Sequence, residues 1–299
     1  MVAITLSNAH YKSLLNTLQK QFPAKVLSEW KITALSGLGG GSFHIQQDEI
    51  NWIARHYNAE KKTLFVNAQK EHSILKQLKS SGLSPHIVMS DGEWFFLHWE
   101  QGQHPTHQQL FDSYMQPLAE KVAMLHQRTP FGFPLNLWHE LSFYWYHIDK
   151  RRLSPRWLRL HQHFLRQPRR NLIKYAPAHM DLHPENILLS EQGIKFIDWE
   201  YAADIDIADS LMSFFAINQL DDMQQSRFLH YYCSYHYHHN RQEEIIFSSV
   251  EKIKSHILSR KPFIFYMMLM WYEVRWQQTK NESFLVMSEP LRDYFSLIS

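Results

Sequence analysis

The feature that most constrains this fold is a change of hydrophobic period partway along the chain. Up to about residue 100, apolar and polar residues alternate over short runs, as in half-buried strands; beyond 103 apolar residues recur at helical spacing. In "NWIARHY", Trp52, Ala54 and His56 alternate with Ile53, Arg55 and Tyr57, and this strand pairs as a hairpin with the one leaving "LSGLGGGSFHI". "HIVMSDGEWFFLHWE" reads as a second strand pair turned at Asp91 and Gly92. Two helices accompany them: "HYKSLLNTLQKQF", with Tyr11, Leu14, Leu15 and Leu18 on one stripe, and "KEHSILKQLK". After "QGQHP" long helices take over, as in "YMQPLAEKVAMLHQ" with Leu118, Val122 and Leu125 aligned. The spacing therefore predicts a β-rich part, 1–102, and a larger helical part, 103–299. One hairpin interrupts the helical part, "NILL" and "IKFID", turned at 190–193.

Composition narrows the class. A chain of 299 residues can bury a sizeable core as one domain or two, and its ten Trp and fourteen Tyr are those of a packed protein. The longest apolar run, "FIFYMMLMWY", is about ten residues against the roughly 20 that span a bilayer, so it predicts a buried helix. The N-terminal residues show no secretory pattern, and the single Cys233 excludes an internal disulfide framework; a cytoplasmic protein is expected. A net charge of +2 implies no polyanionic partner. Basic residues do gather in 150–170 without an acidic one, but Trp157, Leu160, His161 and Phe164 recur at helical spacing, which predicts a solvated helix with an inward apolar face. Neither nucleic acid nor membrane is an expected partner. "HYHHN" at 236–240 has no cysteine or paired carboxylates nearby, so it predicts no zinc site.

The helical part's one hairpin carries the chemistry. In "HMDLHPENILLSEQGIKFIDWEY", Asp181 and Asn186 precede the first strand and Asp198 ends the second. Phosphoryl transfer from a nucleotide needs a carboxylate to orient the attacking hydroxyl, and hard oxygen ligands to hold Mg²⁺ against the phosphates. Each residue alone is also what a turn or strand end would use. Together and in this order, His179, Asp181, Asn186 and Asp198 point to a kinase site.

"HMDLHPENIL" and "FIDWEY" resemble the catalytic and metal-binding segments of the aminoglycoside phosphotransferase and choline kinase superfamily. Its thiamine-phosphorylating members also resemble this chain in "SGLGGGSFHI", "IDWEYAADIDIA" and "WYEVRWQQT", so the likeness runs over roughly residues 35–285. The resemblance implies an α+β, two-lobed protein-kinase-like fold, with a small β-rich N-terminal lobe and a larger, mainly helical C-terminal lobe that includes the hairpin. It implies an ATP- and Mg²⁺-dependent kinase for a small cationic alcohol, thiamine first. Choline, another amino alcohol or an aminoglycoside is the alternative acceptor; an inactive nucleotide-binding scaffold is a further alternative.

By the same resemblance, Asp181 is the base or orienting carboxylate, His179 supports its loop, Asn186 and Asp198 hold Mg²⁺, and Asp209 braces the loop. Residues 37–42 would cover the phosphates, with Gly39, Gly40, Gly41 and Ser42 letting backbone N–H groups approach. Arg55 stands where a protein kinase has its strand lysine, and is expected on the α- or β-phosphate with Glu71 orienting it. Trp199 and Glu200 replace the Phe-Gly of protein kinases, so no flipping aromatic switch is expected. Glu100 and Gly102, in the hinge at 99–103, are expected beside the adenine. On the helix "MWYEVRW", Tyr272 and Trp276 share a face, and with Trp271 and Glu273 they are expected to meet the acceptor's cation.

Overall fold

The alternation in the first third builds an antiparallel sheet. Strands β1 (Lys31–Ala34), β2 (Ser42–Gln47), β3 (Ile50–His56), β4 (Ile87–Ser90) and β5 (Trp94–His98) lie in the order β1-β2-β3-β5-β4. The structure, a computed structural model, describes residues 8–35, 42–56, 66–168, 171–239 and 249–297. Phe43 pairs with Ala54, and these two, with Ile45, Trp94 and Phe96, turn to one side of the sheet, where Leu14 and Leu18 of helix α1 (Asn8–Gln21) cover them. The α1 stripe is Leu14, Thr17 and Leu18; Tyr11, expected on it, is exposed. On the opposite face, register sets Arg55 between Ser42 and Phe95. Helix α2 (Ala68–Leu78) starts at Asn67, whose side chain accepts from the N–H of Gln69 and Lys70, and it buries Glu71, Ile74, Leu75 and Leu78 on one stripe.

Four more strands follow: β6 (Tyr175–Ala178), β7 (Ile187–Ser190), β8 (Gly193–Phe196) and β9 (Ala203–Asp206). The chain divides into two compact units, Met1–Gln109 with Pro184–Ala202, and Leu110–His183 with Ala203–Ser299. The boundary expected near 103 thus falls inside the first unit. The β7–β8 hairpin, expected with the helices, packs there as well. Backbone pairing is the reason: Gln103 and Leu189 exchange N–H···O bonds of 2.9 Å each, and Phe196 N donates to Leu83 O at 2.8 Å. The β6–β9 pair was not expected at all. Its strands are four residues long and almost wholly buried, too short for a period to stand out from the residues around them.

The second unit is built mainly from α4 (Met115–His126), α5 (Leu137–His147), α6 (Pro155–Leu165), α7 (Ile207–Ile217), α8 (Asp222–His239), α9 (Val250–Thr279) and α10 (Ser283–Tyr294), preceded by the short α3 (His107–Asp112) at the boundary. The apolar run becomes the buried middle of α9, where Phe263, Tyr266, Leu269 and Met270 pack among α5, α7 and α10. Ser154 caps α6, which turns Trp157, His161 and Phe164 inward and leaves its arginines outside. Among the described residues no helix is long and apolar enough to cross a membrane.

Candidate active site

In the first unit the site is organised by one guanidinium. Arg55 Nη1 donates to Glu71 Oε1 at 2.9 Å, and Nη2 donates to Asp198 Oδ1 at 2.6 Å and Glu200 Oε2 at 3.3 Å. Burial opposes the charged form, but Asp198, Glu71 and Glu200 more than offset it, so the Arg55 pKa is raised. The Arg55–Glu71 pair is the one the sequence led us to expect. Glu200 was read only as a departure from the protein-kinase pattern. Its signal was a carboxylate two positions after Asp198, at a place protein kinases give to glycine.

The hairpin brings two of the expected metal ligands to its open end. Ile197 N donates to Asn186 O at 3.0 Å, so Asn186 and Asp198 flank the last backbone bond of the β7–β8 ladder. Asp198 has φ 63° and ψ 66°, a left-handed conformation uncommon outside glycine that aspartate adopts more readily than most residues. Trp199, fully buried below it, donates its indole N–H to Phe196 O at 2.8 Å. Carboxylate and amide oxygens are hard donors, and that set fits Mg²⁺.

The hinge lies against the same hairpin. Glu100 is ion-paired with Lys195 of β8, so its carboxylate already has a partner. A Cβ on Gly102 would stand 2.8 Å from Leu189 O, so only glycine allows this approach. The Trp99 ring stacks on His44 with centroids 3.9 Å apart. Gly39, Gly40 and Gly41 lie outside the described residues; Ser42 opens β2, and its carbonyl accepts from Leu35 N at 2.9 Å.

In the second unit, β6 delivers the loop that carries Asp181. His179 is buried, Met180 has φ 67°, and the Asp181 side chain is about one-third exposed with His183 Nε2 3.7 Å from its Oδ2. Beyond it, Asn218 Nδ2 fastens Leu182 O at 2.8 Å. The phenol of Tyr272, on α9, is pushed up in pKa, first by burial and then by the Asp181 charge.

Two neighbouring aspartates escaped the sequence reading. Asp204 accepts from the N–H of Phe131, Gly132 and Phe133 at 2.7, 2.7 and 2.9 Å. Asp206 caps α7, accepts from Ile173 N and Lys174 N, and takes a 2.9 Å bond from the buried Arg260. Arg260 Nε also lies 3.8 Å from Asp209 Oδ1. The alternation "ADID" was a possible signal, since charged residues that alternate within a buried strand have to find partners.

The rest of the expected acceptor wall is differently employed. Glu273 is 1% exposed and bridges Arg152, whose Nε lies 2.8 Å from it, and Arg292. It is the buried centre of an ion triad and not the open edge of a pocket. The Trp276 ring already has Arg152 at 4.6 Å and Lys280 at 4.5 Å from its centroid. Trp271 stands edge-on to Phe284 and to Tyr272. Of the two polar interruptions in this apolar stretch, Glu273 meets arginines and Arg275 lies over the rings of Trp271 and Phe284.

Comparison with known proteins gives concordant results. The sequence model of the phosphotransferase enzyme family (APH) matches residues 32–243. The thiamine kinase of Salmonella paratyphi A (strain ATCC 9150 / SARB42) is 28% identical over 264 residues, covering 86% of this chain and 87% of that protein. The thiamine kinase of Escherichia coli O1:K1 / APEC is 29% identical over 262 residues, covering 85% and 86%. Among solved structures, the choline kinase LicA from Streptococcus pneumoniae matches with a TM-score of 0.75 at 17% identity, over 96% of this chain and 100% of that one; its complex with AMP is similar too. At that identity the likeness is one of fold. The fold class is the expected one, α+β and protein-kinase-like, with a β-sheet N-terminal part and a mainly helical C-terminal part.

Proposed function

The chain belongs to the phosphotransferase enzyme family and acts on an alcohol group; on that premise we propose that the alcohol is thiamine, phosphorylated by ATP with Mg²⁺ to give thiamine monophosphate. The observation that carries the substrate is the likeness to thiamine kinases over 86% and 85% of the chain.

The residues divide the work as follows. Asp181 orients the acceptor hydroxyl and takes its proton as the bond to phosphorus forms. Asn186 and Asp198 hold Mg²⁺, which neutralises charge on the phosphate oxygens when bound. Arg55 keeps Glu71 as its anchor and presents its other nitrogen to a phosphate, where a planar fork of donors suits the anion. Backbone N–H groups of residues 39–42 bind the triphosphate, and the hinge backbone at Glu100 and Gly102 meets the adenine. His179 and Asp209 hold the catalytic loop in place, Asp209 by accepting backbone hydrogen bonds. Tyr272, with Trp271 beside it, faces the acceptor's cationic ring; Glu273 and Trp276 fix the far end of this wall through their arginine contacts.

The test is ADP release with Mg²⁺ and ATP against a panel of thiamine, choline, ethanolamine, pyridoxal and kanamycin. Thiamine should exceed each of the others in kcat/KM by at least about 10-fold, a difference of about 1.4 kcal/mol in transition-state binding. A preference for choline or kanamycin would replace thiamine as the acceptor and leave the phosphotransferase assignment standing.

A further inference from the structure

The loop that carries Asp181 is bent in a way its own residues do not favour. Met180 has φ 67°, a left-handed conformation that a non-glycine residue keeps only where its surroundings hold it there. What lies behind it is a cavity of about 10 Å³, room for at most one water, lined by His126, His179, Met180, Leu182 and Ser210 among others. Val122, Leu125, Leu211 and Phe214 make most of the remaining wall apolar, yet it also holds the buried His126 imidazole and Ser210 hydroxyl, a costly choice unless these two groups are engaged.

They are engaged. His126 Nδ1 is 2.8 Å from the Tyr232 hydroxyl and Nε2 is 3.3 Å from Ser210 Oγ, so in either tautomer both ring nitrogens are used. His126 is 1% exposed and Tyr232 fully buried. Because His126 ends α4, Ser210 lies on α7 and Tyr232 on α8, this chain of bonds ties three helices together directly behind the loop. Burial first, with the nearby Lys174 charge, keeps the imidazole neutral, so it can act as both donor and acceptor.

We propose that His126, oriented by Tyr232 and Ser210, is a positioning residue for phosphoryl transfer: it backs His179 and Met180 so that Asp181 is held at one angle. The inference rests on Asp181 being the carboxylate that orients the acceptor. It requires no contact between His126 and either substrate. Loosening the network should therefore lower turnover while leaving both binding steps intact.

The test uses Tyr232→Phe, which keeps the ring and removes only the hydroxyl, alongside Ser210→Ala and His126→Leu in the full chain. Tyr232→Phe should lower kcat by about 5- to 20-fold with both KM values within about 2-fold of wild type, since a positioning effect is felt in the transition state. His126→Leu combined with Tyr232→Phe should be no slower than His126→Leu alone, because both act through one ring. A second readout needs no acceptor. Amide hydrogen exchange at residues 179–182 should quicken by about 10-fold in Tyr232→Phe while the cores of α4 and α7 exchange as in wild type. Unchanged exchange at 179–182, or a kcat equal to wild type, overturns the proposal even if His126→Leu fails to fold. If exchange quickens but Asp181→Asn remains active, it is the reading of Asp181 that fails.

Discussion

Residue identity has its largest effect at Asp181 and Arg55. Asp181→Asn keeps size and shape but loses the charge that orients the acceptor hydroxyl; turnover should fall by about 100-fold or more, with nucleotide affinity nearly unchanged in an equilibrium binding assay. Retention of a tenth of wild-type turnover would falsify the role given to Asp181. Arg55→Lys preserves charge and removes the fork. An ammonium is a point charge and cannot hold Glu71 on one nitrogen and face Asp198 with another, so the ATP KM should rise by about 10-fold while the acceptor KM stays put. Equal rises for both substrates would mean that Arg55 only supports the fold.

At the scale of elements, two contacts decide how the site is carried. The hinge meets β7 so closely that Gly102→Ala would drive a methyl to 2.8 Å from Leu189 O. No positive φ is involved, so the cost is one of space alone, about 1–3 kcal/mol if the strands have to part. Urea unfolding should show that loss, and the Leu189 amide should exchange faster; normal stability would mean that the hairpin shifts to make room. The second contact is the triad on α9. Glu273→Gln leaves Arg152 and Arg292 facing each other without a counter-charge, and stability should fall by roughly 2 kcal/mol, less than for a fully buried pair because Arg152 is partly exposed. The acceptor KM should change by no more than about 2-fold, because Glu273 is not itself part of the acceptor surface. A large rise in acceptor KM at normal stability would return Glu273 to the acceptor site.

Across the whole molecule, buried histidines set the response to pH. Burial first, with help from Lys150, holds His161 down to about 4; burial and then Lys174 hold His236 down to about 3, against an ordinary 6.5. Above about pH 6.5 neither the folded nor the unfolded chain protonates them, so their contribution is constant. As pH falls below that value the unfolded chain takes up protons and the folded one does not, and stability declines until the folded values are reached. Asp149, held down to about 2 by its bonds from Arg151, loses its contribution only below its ordinary 3.8. The urea midpoint should therefore be flat between about pH 7 and 8 and fall between about 6.5 and 4, with a shallower fall in His161→Gln; a flat midpoint across that window would refute the account. The change from a β-rich to a helical part, the hairpin and the order of Asp181, Asn186 and Asp198 could be read from the chain because each depends on neighbours in sequence, where a period or a spacing leaves a trace, and the fold class followed from the family resemblance that those motifs carry. Glu200 at Arg55, Glu273 between its two arginines, the β6–β9 pair and the hairpin's place beside the hinge could not. Arg55 and Asp198 are 143 positions apart and Arg152 and Glu273 are 121, and a pairing over that distance leaves no local pattern. Only the folded chain decides which charge a buried carboxylate meets, because desolvation forces a partner without specifying where in the sequence it comes from.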